Sequence, residues 1–419
     1  MKNLDLQLPT IQNWSCHNCG GCCKQHVIEI TEEEKQRIEG QGWETDPATR
    51  DVSVILTEGK THRLAHQADG GCVFLDDAGL CRIHAKYGES AKPLACRIYP
   101  YAFHPAGDDI AVSLRFSCPS VVENKGQAVE AQANVLEKIA RQVVPDDYRN
   151  LDPPLISPGE STHWDDFLQF VDMTDAIFAE PQPVLVAILR TIMITDLLEE
   201  ASFSKVSDDQ ITELLQLIAQ TAMMAHEEVP EQIDAPSSIA KRHLRMLAAQ
   251  YTRHDTMADK DSGFRGYWDR LKTSLSFTWG RGTIPDVRPE FRSAEFQMIE
   301  APFELDDSDA IDEILRRYFR VKIQGIHFCG RAYYDVPFIE GLRSLLLVYP
   351  AVMWFARWRA AGESRSIVTA EDVVAAVTVA DHNHGYSAVH GLRASRFRVQ
   401  LLAKMKQLGP LCQWYSRTQ

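Results

Sequence analysis

The sequence lacks long, uninterrupted apolar runs. Residues 1–14 include Asp5 and several other polar residues, so this segment does not contain the apolar core of a signal peptide. Residues 183–198 and 338–355 are mostly apolar, but charged side chains interrupt both stretches. We therefore expect buried core helices at these two places, no membrane partner and a cytoplasmic location.

The chain also lacks an excess of basic residues. Its 419 residues include 44 Lys and Arg against 58 Asp and Glu, which gives a formal net charge of −14. Binding to nucleic-acid phosphates requires clustered lysine and arginine side chains, so this composition argues against a nucleic-acid partner. The hydrophobic fraction of 45% can supply a large core. A chain of this length is expected to form about two or three domains.

Two common sequence patterns are absent as well. No Gly-x-Gly-x-x-Gly turn follows a predicted strand, and strands do not alternate with helices along the chain. Both absences argue against a Rossmann-type nucleotide-binding domain. The sequence contains no repeat of fixed period and no low-complexity tract.

What the sequence does have is a dense group of cysteines. Eight of the ten lie in residues 16–118, and four of these fall within the first eight residues of that range. Disulfides are rare in cytoplasmic proteins, so clustered cysteines there indicate metal binding or redox chemistry. A soft cation relieves the repulsion between neighbouring thiolates. The predicted metal ligands are Cys16, Cys19, Cys22, Cys23, Cys72, Cys81, Cys96 and Cys118.

The spacing of the first cysteines favours an iron–sulfur cluster. Cys16, Cys19 and Cys22 are three residues apart, as in the loop by which ferredoxin-type proteins offer three thiolates to one [4Fe-4S] cluster. The fourth ligand of such a cluster comes from far along the chain and often precedes a proline, which fits Cys118. The two glycines before Cys22 suit a loop that needs positive φ angles.

Zinc is the alternative metal. Eight thiolates make two tetrahedral four-cysteine sites, and a Cys-x2-Cys pair is a usual half of a zinc site. Against zinc, Cys81, Cys96 and Cys118 are isolated and do not form a second Cys-x2-Cys pair. Cys23 follows Cys22 directly and should point away from it, so it belongs to a second site or remains a thiol.

The predicted fold is mainly α. A small cysteine-rich α+β metal-binding domain of hairpins and loops covers residues 1–144, a proline-rich linker covers 145–160, and an α-helical domain covers 161–419. Turn residues predict two hairpins, one around residues 76–79 and one around 105–109. The helical pattern predicts helices over residues 211–226, 236–253, 309–323, 337–359, 371–382 and about 388–407.

Two polar patches in the second half are further candidates. Residues 381–387, with His390 beyond them, contain a His-x-His pair that suits metal binding or proton transfer, but a helix C-terminus capped by Gly385 explains the same residues and is favoured. Tyr333, Tyr334 and Asp335 would suit a lysine ammonium group, or ordinary packing. The remaining cysteines, at 329 and 412, are expected to be buried small hydrophobic residues.

Four cysteine-centred segments carry a family resemblance. They are residues 16–23, Cys-x2-Cys-Gly-Gly-Cys-Cys; 71–75, Gly-Cys-Val-Phe-Leu; 81–84, Cys-Arg-Ile-His; and 92–100, Lys-Pro-Leu-Ala-Cys-Arg-Ile-Tyr-Pro. Together they resemble a cysteine-cluster family of zinc- or iron-chelating domains. The length and the helical second half, including residues 318–319 and 335–338, are most similar to the flagellin lysine N-methylase branch. Only the eight cysteines carry over; the family often has tyrosine where this chain has His84.

The resemblance implies a protein-lysine N-methyltransferase that uses S-adenosylmethionine and a [4Fe-4S] cluster. Its substrate would be a protein with accessible lysines, such as a flagellin. Because no Rossmann motif is present, the methyl donor would bind at the cluster or in the helical domain. The alternative is a non-catalytic zinc- or iron-chelating protein whose helical domain binds a partner.

Overall fold

The structure is a computed structural model that describes residues 4–201, 203, 208–226, 228, 233–253 and 263–418. The chain divides into two compact units. One consists of Ser15–Tyr101 with His254–Arg270 and is called the cysteine-rich unit below. The other, called the helical unit, consists of Met1–Trp14, Ala102–Arg253 and Leu271–Gln419.

The strands are short, and most of the described residues are helical. The strands are β1 Leu6–Gln7, β2 Asn13–Trp14, β3 Glu29–Ile30, β4 Ile55–Glu58, β5 Thr61–Leu64, β6 Tyr101–Ala106, β7 Asp109–Leu114, β8 Gln127–Ala128, β9 Glu304–Leu305 and β10 Ile367–Val368. The first ten helices are α1 Gly21–Gln25, α2 Glu32–Glu39, α3 Arg82–Tyr87, α4 Leu94–Ile98, α5 Pro119–Val122, α6 Ala133–Val143, α7 Trp164–Ala179, α8 Val184–Glu200, α9 Asp208–Ala225 and α10 Ser238–Tyr251. Later helices are α11 Gly263–Trp279, α12 Phe296–Ile299, α13 Ser308–Gln324, α14 Phe338–Leu346, α15 Val348–Gly362, α16 Ala370–Asn383, α17 Ala388–Gly391, α18 Arg393–Lys404 and α19 Leu408–Ser416.

The cysteine-rich unit is built on a small antiparallel sheet with the strand order β3-β5-β4. Helix α2 begins at a capping box, in which Thr31 accepts from the backbone N–H of Glu34 and the Glu34 carboxylate accepts from that of Thr31. Trp43 and Phe74 pack with ring centroids 4.9 Å apart in the core of the unit. Burying these rings supplies the apolar area that a small sheet cannot provide alone.

The helical unit combines a three-stranded sheet of order β1-β7-β6 with a helical core. Strand β1 pairs in parallel with β7, and every residue of β7 from Ile110 to Leu114 is buried. Helices α14 and α15 are buried along nearly their whole length, so they form the centre of the unit. Trp354, Phe355 and Trp358 are each at most 1% exposed and pack on one another's rings.

Among the described residues, Phe338–Gly362 is long and apolar enough to cross a membrane by length and composition. Almost all of its most apolar part is buried inside the protein, as expected for a core helix. The segment is divided at Leu347 into α14 and α15. Pro350 accounts for this break, because it has no N–H to donate to the carbonyl of Leu346.

The mainly α fold predicted from the sequence is confirmed, but several elements differ. Predicted helix 388–407 is divided at Leu392, whose backbone is extended. The hairpin around residues 105–109 is present as β6 and β7. The hairpin around 76–79 is reduced to a single bridge between Leu75 and Cys81, because Cys81 is the N-cap of α3 and the chain turns into a helix there.

The compact units also differ from the predicted division at residues 144 and 160. Residues 102–144 belong to the helical unit. The physical reason is apolar burial: Ile110, Val112 and Leu114 of β7 are at most 1% exposed. The proline-rich segment 145–160 is not an exposed linker throughout, since Ile156 is fully buried and its carbonyl accepts from the N–H of Ile339.

Candidate functional site

The first cysteines lie on a loop that leads into helix α1. Cys16 and Cys19 are exposed. Gly20 is the N-cap of α1 and has a φ of 67°, so the positive φ predicted for this loop is confirmed at Gly20. The carbonyl of Asn18 lies so close to Gly79 that a Cβ there would be 2.6 Å from the carbonyl oxygen. This contact holds the cysteine loop against the turn that precedes Cys81.

Helix α1 carries Cys22 and Cys23, and backbone contacts bring further cysteines toward it. The N–H of Cys72 donates to the carbonyl of Cys23 at 2.8 Å. Cys81 pairs with Leu75 in an isolated bridge and is the N-cap of α3, while Cys96 lies within α4. Four separate pieces of the cysteine-rich unit thus each present a thiol.

Electrostatic interactions link four of these thiols through Cys72 and Cys96. The thiols of Cys22 and Cys81 both raise the pKa of Cys72, and burial raises it most, to about 11. Burial also raises the pKa of Cys96, with further increases from the thiols of Cys72, Cys81 and Cys22. We call Cys22, Cys72, Cys81 and Cys96 the four-thiol group.

Cys23 is a neighbour of this group. Its Sγ lies 4.0 Å from Sγ of Cys22, and the hydrogen bond between them is the largest cause that raises the pKa of Cys22, followed by burial. The ammonium group of Lys92 acts in the opposite direction on both Cys22 and Cys96. Without a cation, the Cys22 and Cys96 thiols therefore hold their protons at neutral pH.

This donor set fits a soft metal ion. Sulfur atoms that make few hydrogen bonds and are largely removed from water are poor sites for bare negative charge, and a bound cation removes that penalty. Within the described part of the chain, no group of three or more His, Cys, Asp or Glu side chains is arranged closely enough to hold a metal ion as it stands. Metal binding by the four-thiol group would therefore draw its sulfur atoms together.

The structure groups the predicted ligands differently from a ferredoxin loop. The Cys22 thiol interacts electrostatically with Cys72 and Cys96, as does the Cys81 thiol, whereas Cys16 and Cys19 are exposed on the preceding loop. Cys118 belongs to the helical unit, where it is the N-cap of α5 and 8% exposed. The remaining two cysteines, at 329 and 412, are each 1% exposed, as predicted.

The two polar patches of the second half meet inside the helical unit. Helix α16 ends at Asn383, and Gly385 has a φ of 80°, so the predicted helix terminus is confirmed. The rings of Tyr333 and His384 lie 4.8 Å apart. A Cβ on Gly391 would be 2.7 Å from the ring of Tyr334. The patches are therefore one cluster, packed around the end of α16.

A buried ion pair lies next to this cluster. Lys322 Nζ is 2.7 Å from Asp381 Oδ1, and the two side chains are 1% and 0% exposed. Lys322 also donates to the carbonyl of Leu114 at 3.1 Å, and the N–H of Ser117 donates to Asp381 at 3.0 Å. The ring of His327 contacts the rings of His104 and Tyr386, with centroids 4.8 and 5.3 Å apart.

Sequence reasoning did not identify Lys322, His327, His104 or Arg115. One signal was present, because Lys322 follows Ile311, Leu315 and Tyr318 at helical spacing on the buried face of α13. The two histidines could not be identified because their surroundings are formed by tertiary packing. Burial lowers the pKa of His104 to about 4 and that of His327 well below its usual range, and the charge of Lys322 lowers both further.

Comparison with known proteins supports the metal-binding part of the chain. Residues 15–125 match the family model CxxCxxCC, described as "Putative zinc- or iron-chelating domain". This range contains all eight cysteines that were predicted to be ligands. The family resemblance of the cysteine segments is therefore confirmed.

Relatives with a curated name come from Salmonella. The chain is 24% identical over 271 residues to the lysine-N-methylase of Salmonella choleraesuis (strain SC-B67), which covers 60% of this chain and 62% of the relative. It is 23% identical over 270 residues, with the same two shares, to the lysine-N-methylase of Salmonella typhimurium (strain LT2). The flagellar biosynthetic protein FliU of Salmonella muenchen is 26% identical over 130 residues, 29% of this chain and 76% of the relative. The chain thus matches less than two thirds of the length of either methylase, and no solved structure matches it.

Proposed function

We propose that this protein is a cytoplasmic iron–sulfur protein-lysine N-methyltransferase that uses S-adenosylmethionine. The observation that carries the proposal is the four-thiol group, in a segment that matches a zinc- or iron-chelating family and in a chain similar to two lysine-N-methylases. These four cysteines, of which Cys72 is buried and the other three are half-buried, can supply the sulfur donors that one [4Fe-4S] cluster takes.

The residues of the chain have defined tasks in this proposal. Cys22, Cys72, Cys81 and Cys96 would hold the cluster as thiolates, and Lys92 offsets part of their negative charge. If three of these thiolates held the cluster, its fourth iron would be open and would supply a Lewis-acidic centre. The exposed Cys16 and Cys19 are available to replace one ligand of the group.

The reaction itself is a displacement at carbon. The neutral lysine amine attacks the methyl carbon of the sulfonium, an N–C bond forms, the S–C bond breaks, and the electron pair of that bond stays on sulfur. The methylated amine then loses one proton to solvent. An amine performs this attack only in its unprotonated form, so a site that excludes water and disfavours positive charge raises the rate.

The substrate we propose is a protein with accessible lysines of the flagellin type. Support comes from the relative named flagellar biosynthetic protein FliU and from the two lysine-N-methylases. The net charge of −14 suits a substrate that presents lysines, since opposite charges steer association.

The test is anaerobic reconstitution of the protein with iron and sulfide. We expect a brown protein with absorbance near about 400 nm, uptake of S-adenosylmethionine measured by calorimetry, and methylation of lysines in flagellin measured by mass spectrometry. The Cys72→Ser variant should lose colour and activity together. Cys412→Ser, which changes a buried cysteine of the helical unit, should keep both. A reconstituted brown protein that methylates no lysine would contradict the proposal.

Zinc chelation without catalysis is the second candidate. The four-thiol group also favours this function, because a structural zinc site takes four thiolates. Such a site leaves no open position for a substrate. In that case the purified protein is colourless and contains one equivalent of zinc, and the helical unit binds a partner. Metal analysis of the protein as isolated separates the two functions.

A further inference from the structure

Two helices of the helical unit contain no acidic residue. Helices α10 and α18 have neither Asp nor Glu, although the whole chain has a net charge of −14. Lys241 and Arg245 of α10 pair with Glu300. Arg396 of α18 pairs with Glu340. In the described part of the chain, the cations of these helices that have no carboxylate within ion-pair distance are Arg242, Arg393, Arg398 and Lys404.

The two helices lie side by side and run in opposite directions. The N–H of Ser237, the N-cap of α10, donates at 2.8 Å to Oε1 of Gln407, which lies just beyond the end of α18. Near the other end of the pair, Nε2 of Gln250 donates at 3.0 Å to Oγ of Ser395. Helices α10 and α18 are therefore antiparallel neighbours, and two such cylinders leave a groove along their solvent side.

The side chains that follow the seam between these helices are not fully buried. Positions three and four residues apart return to the same face of a helix, so they can be found by counting from Gln250 and Ser395. They are Ile239, His243 and Met246 on α10 and Arg398, Leu401 and Met405 on α18. The seam therefore combines apolar side chains with an arginine and a histidine.

Arg398 is a half-buried cation that has no ion pair within the described residues. Burial lowers its pKa, and its guanidinium group donates to the hydroxyl of Ser395 at a distance of 3.4 Å, which is long for a hydrogen bond. Burial lowers the pKa of His243, and the charges of Arg398 and Arg242 lower it further. Both arginines therefore act on the same ring. A carboxylate placed there would accept from the arginines and offset the cost of removing Arg398 from water.

Exposed apolar side chains accompany these charges. Ile239 is 52% exposed, and Phe397, which directly precedes Arg398, is 58% exposed. Protein interfaces combine apolar and aromatic contacts with arginine, so this composition is typical of a docking surface. The matching partner has apolar and acidic side chains on one segment.

We propose that the groove between α10 and α18 is a docking surface for an acidic amphipathic helix of a partner protein. A helix can lie along the groove of an antiparallel pair, with its apolar side chains against Ile239 and Phe397. Its carboxylates would bind Arg242 and Arg398. The surface does not depend on the proposed methyl transfer.

Nucleic acids and anionic membranes match this surface less well than an acidic helix. A duplex or a vesicle is large enough to face the acidic remainder of a protein whose net charge is −14, and like charges repel it. A single helix is short enough to contact only the local cations. Phosphate groups would also leave Ile239 and Phe397 without an apolar partner.

The test uses the full-length protein and a fluorescent synthetic peptide of 14 residues, the length of α10, with Leu on one helical face and Glu on the other. A second peptide has Gln in place of each Glu. The variants are Arg242→Glu, at an exposed position, and Arg398→Gln. The matched control is Lys138→Glu, which makes the same change of charge at an exposed lysine of α6 that has no ion pair in the described chain.

We expect fluorescence anisotropy to show saturable binding of the Glu peptide to the wild type. Binding should be about tenfold weaker for Arg242→Glu and for Arg398→Gln, as for the loss of one hydrogen bond to a charged group. The Gln peptide should bind the wild type at least about tenfold more weakly than the Glu peptide, since it offers no charge to the arginines. Lys138→Glu should bind both peptides like the wild type.

Several results would overturn the inference. Absence of saturable binding, or equal affinities for the two peptides, would show that the surface does not select acidic helices. An equal loss in Lys138→Glu would assign the effect to the net charge of the protein. An oligonucleotide or a phosphatidylserine vesicle that binds more tightly than the Glu peptide, and loses affinity in Arg242→Glu, would assign the surface to a phosphate polyanion.

Discussion

The ammonium group of Lys322 lies 2.7 Å from the carboxylate of Asp381, and neither side chain is exposed to solvent by more than 1%. This pair joins helix α13 to helix α16 in the core of the helical unit. Burial lowers the pKa of Lys322, and Asp381 opposes that change by attraction and by a hydrogen bond. Each charge is therefore tolerated only because the other is present.

Removing one member of this pair should destabilise the protein strongly. Lys322→Met leaves Asp381 buried without a counter-charge, so we expect the free energy of unfolding to fall by about 3–5 kcal/mol. The double variant with Asp381→Leu should recover most of the loss. Urea denaturation followed by circular dichroism measures both. Lys406→Met is the control, because its ion pair with Asp196 involves an exposed lysine and should contribute less than about 1 kcal/mol. Equal losses at Lys322 and Lys406 would contradict this account.

The four-thiol group makes a second prediction. Cys96→Ser should abolish metal binding, because it removes the thiol that interacts with Cys22, Cys72 and Cys81. Cys412→Ser should retain the metal content of the wild type, since that thiol is buried in the helical unit. Metal per chain is measured by mass spectrometry after removal of loosely bound ions. Full metal content in Cys96→Ser would show that the ligands are other cysteines.

Two glycines allow a matched test of the cysteine loop. Gly79 and Gly59 have φ angles of 78° and 64°, so alanine costs a similar backbone strain at both. A Cβ on Gly79 would lie 2.6 Å from the carbonyl oxygen of Asn18, whereas nothing lies within 4 Å of a Cβ on Gly59. We therefore expect Gly79→Ala to weaken metal binding at least several-fold more than Gly59→Ala. Competition with a chelator measures the difference, and equal affinities would show that the loop contact has no role.

The helical unit should lose stability in mild acid. Burial, together with Lys322 for His104 and with Arg253 and Arg398 for His390, lowers the pKa of His104 to about 4 and that of His390 to about 3. Below pH about 6.5 the unfolded chain binds protons at these histidines and the folded chain does not, so the free energy of unfolding falls with pH until the folded pKa is reached.

The variant His390→Gln provides the measurement of this effect. It removes the titrating ring, so its free energy of unfolding should change less between pH 7 and pH about 4 than that of the wild type. Urea denaturation at both pH values gives the two slopes. The same slope for both proteins would show that His390 does not contribute to the acid sensitivity.

Part of this structure could be predicted from the sequence. Helical periodicity located the helices of the second half, and turn residues located the hairpin of β6 and β7. Cysteine spacing identified a metal-binding segment, but it favoured grouping Cys22 with Cys16 and Cys19. The observed neighbours Cys72, Cys81 and Cys96 come from distant segments, and the backbone contacts that bring them together leave no local pattern.

The contacts of His327 with His104, Lys322 and Tyr386 could not be predicted from the sequence for the same reason. His104 lies in β6, Lys322 lies in α13 with His327 just after it, and Tyr386 follows α16. No motif within its own segment marks any of these residues as part of a cluster. Tyr333 and His384 were identified as parts of two separate patches, and only tertiary packing shows that they are in contact.

Strands β1 and β2 belong to the helical unit. The 87 residues Ser15–Tyr101 of the cysteine-rich unit follow them, and the helical unit resumes at Ala102. The cysteine-rich unit is thus an insertion with both ends tied to the same neighbour. A metal bound by the inserted segment would order that segment and keep its two ends close together. Part of the entropy of closing this long loop of the helical unit would then already be lost. Residues 102–419 alone therefore lack β1, one of the two strands that pair with β7. Metal binding by the cysteine-rich unit would in this sense assist the folding of the helical unit.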